Sequence, residues 1–241
     1  MMRTACPLLA LLLAACEGGD VGPAAPVEPA GNSELSSPAD ALETDAVDDA
    51  PASARFTLGT HYRRLSPTQP TSSSPDRVEV AALFAYALPD AYALEAALDR
   101  WRARLPGWIS FVRIPVVRND LERLHARAYY AAEQIGRADA LHAALYRELH
   151  VVGNPLDSRG AIADVFARAG VPAAQFDAAF DAYEVHARVR RAEELTRRYR
   201  IDAAPAIVVN GKYTTTAALA GGPDALFALV DFLADAERSE R

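Results

Sequence analysis

The stretch VEVAALFAYALPDAYALEAAL, residues 78 to 98, changes its hydrophobic period with no long loop between the two halves. From Val78 to Ala87 it is apolar apart from Glu79, the pattern of a parallel strand buried on both faces. The chain then turns at Leu88-Pro89-Asp90-Ala91, and Leu94, Leu98, Trp101 and Leu105 recur at helical spacing. Pro89 suits the first turn of a helix, where its missing N–H removes no hydrogen bond. Pro106-Gly107 closes the helix, and WISFVRIPVV, 108 to 117, reads as the next strand. Strand, helix and strand in this order predict a parallel pair joined by a right-handed crossover. Such a strand-to-helix corner leaves amides free to stabilise an anion and often carries a catalytic group. Leu88 and Ala91 can perform no chemistry there.

From Asp120 to Arg200 the pattern is helical throughout. Leu121, Leu124, Ala128, Ala131 and Ile135 form one stripe, and Val185, Val189, Ala192, Leu195 and Tyr199 form the last. Shorter helices are predicted near 138–150, 158–169 and 172–182, separated by Gly153-Asn154-Pro155 and Gly170-Val171-Pro172. The period then returns to that of strands. AIVVNGKYTTT holds two short runs around Asn210-Gly211, a strong hairpin signal, and DALFALVDFLADA supplies a closing amphipathic helix. HYRRLSP, 61 to 67, is a further short strand. The whole predicts one α/β sheet with a helical insertion.

The N-terminal part has a different composition. Arg3 precedes CPLLALLLAAC, an apolar run too short to span a bilayer, and small residues precede Cys16, as in an export signal. Residues 17 to 54 hold nine acids and no lysine or arginine, among Pro, Ala, Gly and Ser, and read as an extended, self-repelling tether. The remainder is nearly charge-balanced, which argues against a nucleic-acid partner. The chain has two cysteines, Cys6 and Cys16, so residues 17 to 241 contain none. The predicted organisation is a signal peptide at 1–15, a tether at 16–54 and a folded domain at 55–241, with the helical insertion at about 119–195.

Two quoted stretches, VEVAALFAYALPDAYALEAAL and RYRIDAAPAIVVNGKY, resemble the DsbA family of periplasmic thiol–disulfide oxidoreductases. The resemblance covers about residues 55 to 238 and includes the order of the elements. It implies a thioredoxin-like fold with an inserted all-helical domain. It also implies that Pro205, preceded by Ala204, is a cis-proline facing the site; an ordinary trans proline opening a strand is the competing reading. The family's motif is Cys-Pro-His-Cys after an aromatic–small pair and before Tyr. Here Leu88-Pro89-Asp90-Ala91 stands after Tyr86-Ala87 and before Tyr92. A buried family acid, six residues before the first cysteine, corresponds to Ala82, while Glu95 stands where the family has another acid. Leu13-Ala14-Ala15-Cys16 resembles the lipobox of bacterial lipoproteins, which implies a lipid on Cys16 and, with Glu17 following, attachment to the inner leaflet of the outer membrane. An ordinary export signal with a coincidental cysteine competes with that reading.

Disulfide exchange requires a thiolate and passes through a mixed disulfide. Without cysteines at positions 88 and 91 no catalytic residue is expected, and no cofactor. The five histidines show no close pairing for a metal, and no phosphate loop or nucleophile elbow is present. Asp90 and Glu95 read as carboxylates on a solvated helix face. The expected function is a membrane-tethered protein that binds extended peptides or unfolded periplasmic proteins through Leu88, Ala204 and Pro205. The rival readings are a thiol:disulfide oxidoreductase, as the family implies, and a purely structural envelope lipoprotein.

Overall fold

In the computed structural model, residues 55–240 are described. The signal peptide, Cys16 and the acidic tether lie outside the described residues. The strands are β1 (Arg63–Arg64), β2 (Val78–Phe84), β3 (Ile109–Pro115), β4 (Ala206–Val209) and β5 (Tyr213–Thr215). The helices are α1 (Pro89–Arg102), α2 (Asp120–Gln134), α3 (Ala138–Arg147), α4 (Arg159–Arg168), α5 (Ala173–Phe180), α6 (Tyr183–Arg198), α7 (Ala217–Ala220) and α8 (Pro223–Ser239). A π-helical turn, Glu148–Val152, extends α3.

The sheet order is β1-β5-β4-β2-β3. β2 and β3 are parallel across the α1 crossover, whereas β4 runs antiparallel to both β2 and β5. This is a thioredoxin-like mixed sheet with α2–α6 inserted between β3 and β4. β2 is buried at every position, and its two faces feed two separate apolar clusters. Val78, Val80 and Ala82 pack with Leu94, Leu98 and Trp101 of α1 and Val230 of α8. Ala81 and Leu83 face the helical insertion, whose side chains include Leu141, Phe166 and Phe180. Each fully buried side chain of this size contributes about 1.5–3 kcal/mol, so the continuous apolar run follows from a strand covered on both sides.

Glu79 interrupts that run without being left unpaired. Its carboxylate accepts hydrogen bonds from the Ser72 amide at 2.7 Å, the Ser72 hydroxyl at 2.6 Å and the Ser73 hydroxyl at 3.0 Å. The serine-rich loop is thereby tied to the central strand. The hairpin forms at Asn210-Gly211, both with left-handed φ (51° and 63°), and the Lys212 amide donates to the Val209 carbonyl at 2.9 Å. A Cβ at position 211 would lie 2.1 Å from the Gln69 carbonyl oxygen, so only glycine fits. Lys212, the chain's one lysine, pairs with the buried Glu237 at 2.8 Å and fixes the hairpin to α8.

Several boundaries differ from the sequence reading. β2 stops at Phe84, because residues 85–88 already form the turn into α1. α1 ends at Arg102, so Leu105 packs from the following loop and not from the helix. The short α7 carries too little periodicity to be read from sequence; Thr216 caps it by accepting from the Leu219 amide.

Candidate functional site

The corner between β2 and α1 is built without a polar side-chain cap. Leu88 occupies the N-cap position in extended conformation, and its side chain offers no acceptor to the free amides. Pro89 removes one of those amides, and Asp90 in the first turn complements the helix dipole. The Leu88 carbonyl accepts from the Ala91 and Tyr92 amides at 3.1 and 3.2 Å, so the helix starts within one residue of the turn. From the insertion, His150 Nε2 lies 2.7 Å from the Tyr86 carbonyl, and its ring stacks on Tyr92 at 4.9 Å and 5°. The corner is therefore held from both sides.

The Ala204–Pro205 peptide is cis, and both residues are half-buried. A cavity of about 280 Å³ opens beside it, with Pro205, Ala204 and Ala203 on one wall and Asp90, Ala93 and Leu94 of α1 on the other. Thr216, Ala217, Ala218 and Pro223 complete a mostly apolar lining. Leu88 is half-buried rather than exposed, and packs with Ala204 against the same core cluster. Ala91 is 1% exposed. Ala82 is buried among Leu94 and Ile207, surroundings in which an unpaired carboxylate would cost several kcal/mol.

On its other flank α1 contributes to a polar cluster. Glu95 Oε2 accepts from Arg113 Nη2 at 2.8 Å and lies 3.3 Å from His142 Nε2. Arg113, on β3, also reaches Asp139 at 3.1 Å and Asp99 at 3.3 Å. Burial raises the Glu95 pKa, but the His142 and Arg113 contacts outweigh it and hold the carboxyl below its ordinary range. Burial pushes the His142 pKa below the ordinary histidine range, and Glu95 only partly opposes this. A neutral His142 accepts at Nδ1 from the Tyr86 hydroxyl, 2.7 Å away, and carries its proton on Nε2 towards Glu95. Burial raises the Tyr86 pKa, so its hydroxyl keeps the donated proton.

Glu95 is thus no solvated surface acid; its side chain is 16% exposed. Asp90 does remain exposed. The sequence reading did not find Arg113, His142 or Tyr146 as neighbours of Glu95. The available signal was an arginine inside the apolar strand WISFVRIPVV, since a charge in a buried strand requires a partner. Among the described residues no group of three or more His, Cys, Asp or Glu side chains is placed to hold a metal ion. No described helix is long and apolar enough to cross a membrane.

The fold defines a thioredoxin-like protein with a helical insertion, and the site is a strand-to-helix corner facing a cis-proline. Residues 63–234 match the DSBA-like thioredoxin domain, and the chain belongs to that family. It is 31% identical over 199 residues to the thiol:disulfide interchange protein DsbA of Azotobacter vinelandii, covering 83% of this chain and 92% of that protein. The DsbA of Pseudomonas aeruginosa strain PAO1 is 30% identical over 184 residues, covering 76% and 87%. The crystal structure of Pseudomonas aeruginosa DsbA superposes with a TM-score of 0.75 at 30% identity, covering 78% of this chain and 97% of that one. The oxidoreductase DsbA from Xylella fastidiosa gives 0.71 at 27% identity, covering 77% and 99%.

Proposed function

We propose that this chain is a redox-inactive, lipid-anchored envelope protein that holds extended peptide segments or unfolded proteins of the periplasm. The observation that carries the reading is the pairing of an apolar cavity beside Pro205 with a neighbouring corner, Leu88-Pro89-Asp90-Ala91, that has no thiol. An extended peptide can pair with backbone groups as an added strand, and that contact needs no sulfur. Leu88 and Ala204 supply apolar surface in place of the thiolate, favouring a bound apolar side chain. Cys16 would carry the acyl chains, each buried CH₂ adding about 0.8 kcal/mol to membrane attachment. The protein would then sit on the periplasmic side of the outer membrane.

The second reading, a thiol:disulfide oxidoreductase, is favoured by the names of the curated relatives. It requires a thiol that residues 17–241 lack. One experiment separates the two. The full chain carrying Cys6→Ser and Cys16→Ser is assayed for insulin reduction and for oxidation of a dithiol peptide, and in parallel for capture of a fluorescent extended apolar peptide by anisotropy. The expected result is saturable capture with no turnover above buffer. Turnover in either assay overturns the redox-inactive reading, and absence of capture overturns the holding role. Wild-type protein recovered free of membranes, with an N-terminus other than Cys16, overturns the lipid anchor.

A further inference from the structure

β3 ends the sheet, and a cavity of about 460 Å³ lies between it and the helices α2 and α6 of the insertion. Its size falls within the range of small-molecule sites, roughly 300–1,000 Å³. Phe111, Val112, Ile114 and Leu195 give it an apolar wall. Tyr130 of α2 and Tyr199, which caps α6, also line it, at 5% and 1% exposure. Neither hydroxyl has a hydrogen-bond partner among the described residues, and neither is fully buried as the unpartnered Tyr146 hydroxyl is. Burial raises the pKa of both phenols, so each keeps its proton and can donate it. In each, Arg191 opposes the shift, which puts its positive charge within electrostatic reach of both rings.

The charges around the cavity select the ligand. Four arginines, Arg102, Arg113, Arg188 and Arg191, face three carboxylates. Arg102 and Arg113 are held by Asp139, and Arg188 by Glu133, which also accepts from the Tyr129 hydroxyl at 2.9 Å. Glu79 is satisfied by Ser72 and Ser73. Arg191 is exposed and makes no ion pair among the described residues. Water can serve the two hydroxyls, but it brings no countercharge to this guanidinium. A carboxylate brings one, and its two oxygens can accept from an arginine fork and from phenol donors together. A dianion would exceed the charge Arg191 neutralises and would face Glu79 and Glu133.

We propose that the cavity between β3 and the insertion binds an organic monocarboxylate with a short apolar body, its head group held by Arg191, Tyr130 and Tyr199. The site is distinct from the groove beside Pro205, since the two cavities share no lining residue. The carboxylate can belong to a free acid or to the C-terminus of a peptide.

The test is titration of the full chain carrying Cys6→Ser and Cys16→Ser with 3-phenylpropionate and with its neutral amide, followed by amide chemical shifts. Saturable shifts are expected at Val112, Tyr130, Arg191 and Tyr199, with the acid binding about ten- to a hundredfold more tightly than the amide, the range of one charge-assisted hydrogen bond. Arg191→Gln, a change at an exposed position, should abolish that preference, and Arg191→Lys should restore part of it. Tyr130→Phe and Tyr199→Phe keep the rings and should each weaken the acid about two- to tenfold, as loss of one neutral hydrogen bond does. Two peptides of the same apolar sequence, one ending in a free carboxylate and one amidated, separate the sources: discrimination between them points to a chain terminus, and its absence with 3-phenylpropionate binding retained points to a free acid. Equal affinity for acid and amide, a preference that survives Arg191→Gln, full affinity in both phenylalanine variants, tighter binding of phenylethylphosphonate, or shifts confined to the residues around Pro205 would overturn the proposal.

Discussion

The two flanks of α1 have undergone opposite treatment. One flank, beside Pro205, is a mostly apolar groove lined by Ala93, Leu94, Ala204 and Pro205, next to a corner that carries Leu88 and Ala91. The other keeps Glu95 and surrounds it with Arg113, His142 and Asp139. Leu88 and Ala91 leave nothing unsatisfied at the corner, because leucine and alanine have no polar atoms beyond the backbone. Loss of Glu95 would leave the buried Arg113 with only the exposed Asp99 and Asp139 as partners. The first region can therefore drift without unfolding the protein, and the second cannot.

The sharpest test of this contrast is Glu95→Ala. Arg113, with a side chain 6% exposed, then loses its best-buried anionic partner. Breaking a buried pair costs about 3–5 kcal/mol. Denaturant unfolding should show a loss of that order, and a change below about 1 kcal/mol would mean that the cluster is not the stabilising element described above.

Acid supplies the next test. The pKa of His142 is lowered by folding, so below the ordinary histidine value of about 6.5 the unfolded chain binds a proton that the folded one does not. Stability contributed by neutral His142 is present above that value and is lost as pH falls towards its folded pKa. Buried His125, also lowered, adds to the same limb. The limiting slope is about 1.4 kcal/mol per pH unit for each histidine. Glu95, lowered too, adds a second loss below the ordinary carboxylate range. His142→Gln should flatten the limb just below pH 6.5 and leave the more acidic one. A stability curve unchanged between pH 7 and 5 would break this account.

On the apolar flank the fold should be tolerant and binding sensitive. Leu88→Asp should weaken peptide capture about tenfold, corresponding to the transfer of one apolar side chain, while denaturant stability changes by less than about 1 kcal/mol. Capture that is unaffected would separate Leu88 from the groove. The double variant Leu88→Cys, Ala91→Cys should fold and form an intramolecular disulfide, read by thiol titration and mass. Two thiols that never pair under an oxidant would show that the corner has lost the family's geometry. Asp90→Ala is the smallest change. It removes only a favourable interaction with the helix dipole and should cost about 0.3–1 kcal/mol.

Much of this was legible in the residues. The period change across 78–98, the Asn210-Gly211 hairpin and the helical stripes between 120 and 200 each rest on local rules, and they specify the order of elements and the fold class. That residues 17–241 contain no cysteine is likewise a fact of sequence. The status of Glu95 was not legible. Its helix position looks solvated, and its partners lie on other elements: Arg113 is 18 residues away on β3, and Tyr86 and His142 are 56 residues apart. Burial depends on which helix the insertion lays across α1, and charge partnership depends on burial; neither is encoded in a local period. The sequence by itself therefore determined the scaffold and a corner without cysteine at positions 88 and 91. The tertiary structure alone decided that the opposite flank of the same helix is a buried charge network beside a cavity, because only packing removes water from Glu95, Arg113 and His142 together.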